Sequence, residues 1–261
     1  MSNPLLPVMD FRLATYNVKC FPWVSTPIRD IVRWISRSCD VVALQEIWCR
    51  HSAWASAFAA AGWTFLRPPR EHHIISVFGS GLAVAWRTDK WQFRDARQYP
   101  YLSAVGIDAL VSKGWFRVEL THMPSQTPLR LINTHMQSDY EVCNDIWRTI
   151  SEPVRMGQAQ QLIESERRLS SAPTLITGDM NTEMCWFPEC RWLTRHAGVT
   201  YDKGSQVLDH CATWQPEQWN LETHRVGREC GELSDHWPVV WHLRWRGPKR
   251  EKNGATRIRR G

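Results

Sequence analysis

Three short hydrophobic runs in this 261-residue chain each stop on an acid, an amide or a histidine: VVALQE at 41–46, RLINTH at 130–135 and TLITGDMN at 174–181. Runs of this length, bounded by polar residues, read as strands, and Val41 to Leu44 as one buried on both faces. Asn17 likewise follows the strand-like Phe11–Tyr16, Asp209 follows Val207 and Leu208, and Asp235 and His236 precede the apolar Val239–Trp245. Taken singly, each is an ordinary turn residue. Together they are different, because strand ends on one sheet edge converge in space. Converging carboxylates repel unless positive charge lies among them, and a hard divalent cation such as Mg²⁺ prefers such oxygen donors. No His-rich or Cys-rich spacing points to zinc.

Helical patterns lie between these strands. Ile28, Ile31, Val32 and Ile35 recur at i, i+3, i+4, i+7 behind Thr26 as cap and Pro27 at the first position. Ser52 to Ala61 reads as an Ala-rich helix, and Pro153 to Leu169 as a third, with Ala159, Leu162, Ile163 and Leu169 on one side. Leu82–Trp86, Trp115–Leu120 and Leu129–Asn133 read as further strands. Strands and helices without strict alternation predict a layered α/β protein. With no internal repeat or linker, one domain over residues 1–246 and a tail over 247–261 are expected.

The composition, 43% hydrophobic and 22% charged, is that of a folded protein and excludes collagen, global disorder and a small disulfide scaffold. The uncharged stretch Ser52–Leu66 is too short and polar to span a membrane. The opening MSNPLLPVMDF lacks the features of a secretory signal. An intracellular setting, cytoplasmic or nuclear, is therefore expected, with the eight cysteines, none in a CxxC pair, mostly reduced. The net charge of +6 is unevenly placed. Arg244–Gly261 carries eight Lys or Arg and one Glu, +7, which leaves −1 for the rest of the chain. Such a tail reads as disordered and suited to polyanions, or as a merely solvated end. Oligomeric state is not legible.

The segments ATYNV, VVALQEIW, GSGLAV, NTHMQS, LITGDMN, VLDH and LSDHWPV, spanning residues 14–239 in this order, resemble those of the endonuclease/exonuclease/phosphatase superfamily. The run NTHMQSDYEVCN, then VRMGQAQQL, then LITGDMN is most similar to its neutral sphingomyelinase branch. The resemblance implies a DNase I-like four-layer α/β sandwich, two packed mixed β-sheets flanked by helices. It also implies a Mg²⁺-dependent phosphodiester hydrolase, with Mn²⁺ as a substitute. His236 would be the general base, held by Asp209. Glu46 would be the principal metal ligand with Asn17 beside it, and Asp235 would serve the same or a second metal position. Asp179 and Asn181 would orient the water and contact the phosphate. His135 would stabilise the phosphoryl oxygens or protonate the leaving group. His210, beside Asp209, is read as structural. Lys19 departs from the pattern: apurinic endonucleases of the family place a metal-holding Asp there, which puts a second metal in question.

Several substrates remain open at this level: a phospholipid headgroup, as for a sphingomyelinase-like phosphodiesterase; DNA or RNA, as for an endonuclease or exonuclease; or an inositol polyphosphate. A catalytically dead binding scaffold is the non-enzyme alternative, which the full residue set disfavours. A lipid phosphodiesterase should expose apolar groups near its site. Trp186, Phe187, Trp214 and Trp219 are the candidates, against their being core like most of the sixteen tryptophans.

Overall fold

In a computed structural model, residues 8–69, 79–139, 144–169, 172–193, 198–202, 205–231 and 233–247 are described. The first half carries β1 (Asp10–Cys20), α1 (Ile28–Ser38), β2 (Val41–Ile47), α2 (His51–Ala60), β3 (Trp63–Leu66), β4 (Ala83–Arg87), β5 (Trp91–Pro100) and β6 (Gly114–His122). The second half carries β7 (Thr127–His135), α3 (Asn144–Glu166), β8 (Thr174–Asp179), β9 (Arg191–Trp192), β10 (Asp209–Thr213), β11 (Trp219–Val226) and β12 (Val239–Trp245). The strands form two mixed six-stranded sheets, ordered β11-β12-β1-β2-β4-β3 and β5-β6-β7-β8-β10-β9.

Three apolar layers hold four structural layers together. Between the sheets, Phe11, Leu13, Val84, Trp86, Trp91, Phe116, Leu131 and Trp241 interdigitate, all buried. Outside the first sheet, Ile31, Val32 and Ile35 of α1 and Trp54 and Phe58 of α2 pack onto Tyr16, Val42 and Leu44. Outside the second, Ala159, Leu162 and Ile163 of α3 cover Ile132 and Ile176. Burial at about 25 cal/mol per Å² makes these layers the main stabilising contribution. No helix of the described residues is long and apolar enough to cross a membrane.

The sheet topology gathers the polar strand ends on one edge. β1 runs parallel to β2, and β7 parallel to β8, so the C-terminal ends of each pair lie side by side. β10 is antiparallel to β8, with Asp209 opposite Asp179. β12 is antiparallel to β1 and pairs Val239 with Thr15, which leaves Ser234–Pro238 beyond the pairing, where Ser234 Oγ donates to the Asn17 carbonyl (2.8 Å). A buried amide ties the sheets together beneath this edge. Asn133 Nδ2 of β7 donates to the carbonyls of Leu44 and Ala83 (2.8 Å each), and its Oδ1 accepts from Gln45 Nε2 (2.7 Å).

Gly178, just before Asp179, has φ 147°, and a Cβ there would lie 1.9 Å from the Thr134 carbonyl oxygen. Only glycine lets β8 approach β7 this closely. Gly178→Ala is therefore expected to lower stability by about 3 kcal/mol, a fall in Tm on the order of 10 °C, measured by thermal and urea unfolding.

The structure corrects several expectations. β1 does not end before Asn17 but continues to Cys20, with a register shift against β2 between Asn17 and Cys20. Thr26 does not cap α1: its buried hydroxyl finds no partner among the described residues. The first turn instead closes on the Pro27 carbonyl, which accepts from Asp30 and Ile31. Asp209, after Val207 and Leu208, is the first residue of β10, so Val207 and Leu208 precede the strand. α3 begins at Asn144, nine residues before Pro153, which sits inside it. An interior proline costs about 3 kcal/mol, and packing of the Ala159–Ile163 face on the second sheet offsets that. The tail expected over 247–261 lies, after Gly247, outside the described residues.

Candidate active site

Backbone geometry aims several of these side chains. Lys19, Glu46 and Asn181 have φ of 46°, 59° and 50°, the left-handed region that non-glycine residues seldom occupy. Such strained positions cluster where the surrounding fold over-determines them, often at functional sites. The side chains of Lys19, Glu46, His135, Asp179, Asn181, Asp235 and His236 all line one cavity of about 620 Å³. Asn17 and Asp209 stand behind its wall.

Hydrogen bonds order this set. Buried Asn17 spans two carboxylates, its Nδ2 donating to Glu46 Oε1 and to Asp179 Oδ2, each at 3.0 Å. Its Oδ1 accepts from the Lys19 backbone N–H (3.2 Å). Asp209 Oδ2 accepts from His236 Nδ1 at 2.8 Å. That bond sets the tautomer and leaves Nε2 for the cavity, where it lies 3.7 Å from Asp179 Oδ2. His135 Nε2 is 3.6 Å from the same oxygen. Asn181 donates its backbone N–H to Asp179 Oδ1 and its Nδ2 to the Met136 carbonyl, both at 3.0 Å. Asp235 forms an ion pair with Lys19 Nζ.

The electrostatics separate the two histidines. Burial disfavours the charged form of His236. The charges of Asp209 and Asp179, the Asp209 hydrogen bond and Asp235 outweigh it and raise the pKa to about 10. For His135, burial and then the Lys113 ammonium lower it to about 3. The two rings therefore favour opposite protonation states near pH 7, His236 charged and His135 neutral. Burial also raises the Glu46 carboxyl.

Asp179, Asp209 and His236 offer ligand atoms within 4.8 Å of one another. Two of the three are already bound to each other, so this trio is a histidine–carboxylate pair flanked by an acid rather than three free donors. Glu46 and Asp179 suit a cation better. Among the described residues Glu46 accepts a side-chain hydrogen bond only from the neutral Asn17 amide, its carboxyl is disfavoured as an anion by burial, and it faces the cavity. The donors are hard oxygens, which fit Mg²⁺ or Mn²⁺.

Residues that sequence reasoning did not single out complete the wall. Lys113, itself buried, donates from Nζ to the Met136 carbonyl (2.9 Å) and lies 3.4 Å from Asp108 Oδ2, which also accepts from Ser138 N and Oγ (2.8 Å each). Tyr201 packs on the His236 ring, centroids 5.0 Å apart. Thr200 Oγ1 accepts from the backbone N–H of Leu208 and Asp209 (2.9 and 3.2 Å). Only Lys113 carried a signal, as a lysine at the start of an apolar strand. His210 turns away from the cavity, Nε2 against the carbonyls of Thr182 and Val207 and its ring stacked on Trp192.

Of the two readings of Trp186, Phe187, Trp214 and Trp219, rim or core, the structure supports core. Phe187 and Trp219 are buried, Trp219 edge-on to Trp245, and Trp186 and Trp214 pack half-buried against the α3-side core. The segment after GDMN folds back onto that core instead of projecting. The cavity lining carries other apolar groups. Phe21, Trp48, Ile107 and Val111 belong to it. Trp23, 75% exposed, stacks on Phe21 (5.2 Å), and Ile107 and nearby Leu110 are 67% and 53% exposed.

A sequence profile of the Endonuclease/Exonuclease/phosphatase family matches residues 14–236. No curated protein sequence matches the chain. Solved structures share its fold at low identity. Beta toxin from Staphylococcus aureus, an F277A, P278A mutant with bound magnesium ions, is 16% identical with a TM-score of 0.70, covering 90% of this chain and 99% of its own. Sphingomyelinase C from Streptomyces griseocarneus is 17% identical with a TM-score of 0.66, at 90% and 99% coverage. D. rerio TDP2 complexed with single strand DNA product is 14% identical with a TM-score of 0.67, at 90% and 98%.

Proposed function

The chain belongs to the Endonuclease/Exonuclease/phosphatase family, and from that premise we propose that it is a divalent-metal-dependent phosphodiester hydrolase acting on a lipid headgroup, as a sphingomyelinase does. One observation supports this best: the Asp209–His236 pair faces the Glu46–Asn17–Asp179 cluster in a cavity whose lining also includes apolar Phe21, Ile107 and Val111.

Hydrolysis forms a bond from water oxygen to phosphorus and breaks the bond to the leaving oxygen. His236 Nε2 accepts the water proton, and Asp209 orients the ring and stabilises the imidazolium. Asp179 and Asn181 position the water, Asn181 through Oδ1, since its Nδ2 is bound to Met136. A pKa of about 3 keeps His135 neutral near pH 7, so it serves as a hydrogen-bond donor to a phosphoryl oxygen rather than as a charged acid. To act as a base His236 must be neutral, and the Asp179 charge opposes that. Glu46, Asp179 and Asn17 would hold Mg²⁺ or Mn²⁺, which supplies positive charge to the phosphoryl oxygens and offsets the carboxylate field on His236.

The lining argues for the substrate class. Among the described residues it contains five carboxylates (Glu46, Asp108, Asp139, Asp179, Asp235) against Lys19 and Lys113 and no arginine. Binding of a nucleic-acid backbone rests on cationic side chains, and both lysines here are engaged by carboxylates. Exposed apolar groups (Ile107 in the lining, Trp23 stacked on Phe21) beside a polar site suit an amphiphile. The test is side-by-side hydrolysis, with Mg²⁺, of sphingomyelin vesicles, plasmid DNA, an abasic oligonucleotide, RNA and inositol polyphosphates. Sphingomyelin is expected to turn over fastest, and faster cleavage of any nucleic acid would refute the assignment. Trp23→Ser with Ile107→Ser should cut vesicle hydrolysis about tenfold or more, given roughly 1.5–3 kcal/mol per buried apolar side chain. The small diester bis-p-nitrophenyl phosphate should be hydrolysed as before.

A further inference from the structure

Among the described residues, the five acids that line the cavity and Asp209 behind its wall can be checked one by one for charge partners. Asp139 is held by the Arg155 guanidinium of α3 through two bonds, 2.8 and 3.2 Å. Asp108 lies against Lys113, 3.4 Å. Asp209 is bound to His236, 2.8 Å. Asp235 is paired with Lys19. Glu46 and Asp179 remain. They share one neutral amide, Asn17, and neither has a lysine or arginine within ion-pair distance. Asp179 has only the two histidine rings beside it, His135 and His236 at 3.6 and 3.7 Å. Among the described residues the cavity is therefore left with one pair of carboxylates that no lysine or arginine neutralises, and one divalent cation would satisfy it.

Lys19 is placed for this role by an unusual backbone. It stands two residues past Asn17, where the β1–β2 register slips, and adopts φ 46°. That conformation is disfavoured for lysine. It is held by the bond from the Lys19 N–H to Asn17 Oδ1, and Nζ reaches Asp235 beside His236. The same turn thus orients the amide that bridges Glu46 and Asp179 and delivers an ammonium to the remaining acid.

We propose that Lys19 is the second cation of this site, built into the chain, so that the protein binds one divalent ion at Glu46 and Asp179 and none at Asp235. The inference rests on the reading of the site as that of a metal-dependent hydrolase. Lys19 is a charge partner here, not a group that touches the reacting atoms.

The test is the stoichiometry of Mn²⁺ binding to the full chain without substrate, by calorimetry and by electron paramagnetic resonance of free Mn²⁺. The wild type should bind one ion per chain, and so should Lys19→Arg, which keeps the charge. Lys19→Asp should bind two, because it removes the ammonium, frees Asp235 and adds a carboxylate. Aspartate tolerates the left-handed backbone, and circular dichroism checks the fold. Two ions in the wild type, or one in folded Lys19→Asp, would overturn the proposal while leaving the hydrolase reading intact. No ion in either would overturn both. Should Lys19→Asp fail to fold, Lys19→Asn decides: loss of a nearby positive charge should tighten the single Mn²⁺ site about tenfold, and unchanged affinity would overturn the assignment.

Discussion

His236→Ala is expected to lower kcat on bis-p-nitrophenyl phosphate by about 10² to 10⁴, the usual contribution of a general base. The protein should remain folded, because the ring lies at the cavity wall and Asp209 keeps its place through its backbone bond to Thr200. Glu46→Ala should cost a comparable factor. The double variant should lose little more than either single one, since both groups serve one transition state. Steady-state kinetics of the three purified variants, with circular dichroism as control, measures this. Near-normal turnover of either single variant would remove that residue from the assignment, and multiplicative losses would mean that the two act independently.

EDTA should reduce turnover by more than about a thousandfold, the equivalent of several kcal/mol of transition-state charge stabilisation, and Mg²⁺ or Mn²⁺ should restore it. Stability provides a second readout. At a hundredfold excess over its Kd the ion should stabilise the fold by about 2.7 kcal/mol, and Glu46→Gln should abolish that gain. In metal-free protein the sign reverses. The Glu46 pKa is raised in the folded state by burial, so its ionised form disfavours folding. The stability associated with its proton is fully present below the unfolded value near 4.5 and is lost as pH rises through the raised value. Glu46→Gln stays neutral throughout. Without metal it should therefore melt above the wild type at pH 8, and this difference should shrink towards pH 4. A Tm for metal-free Glu46→Gln at or below the wild type at pH 8 would show that the carboxylate carries no such strain.

The local pattern carried much of this protein. β2, β7, β8 and β12 were legible because apolar runs stop at polar residues, and α1 because its apolar positions repeat at helical spacing. Glu46, His135 and Asp179 were legible as site candidates because each closes such a run, and parallel neighbours must then place those ends together. Other features depended on which faces meet across the fold. Asn17 and Asp179 are 162 residues apart and share one hydrogen bond. Lys19 meets Asp235 across 216 residues. Asn133 looked like a strand residue and proved to be the polar tie between the sheets. The tryptophans show the division most clearly. Their number implied a large aromatic core, but whether Trp219 or Trp23 faces solvent was not in the local pattern. A residue's periodicity shows that it wants burial. Only the packing of the second sheet and the helices against the first decides which side chains obtain it, and which are left at the mouth of the site.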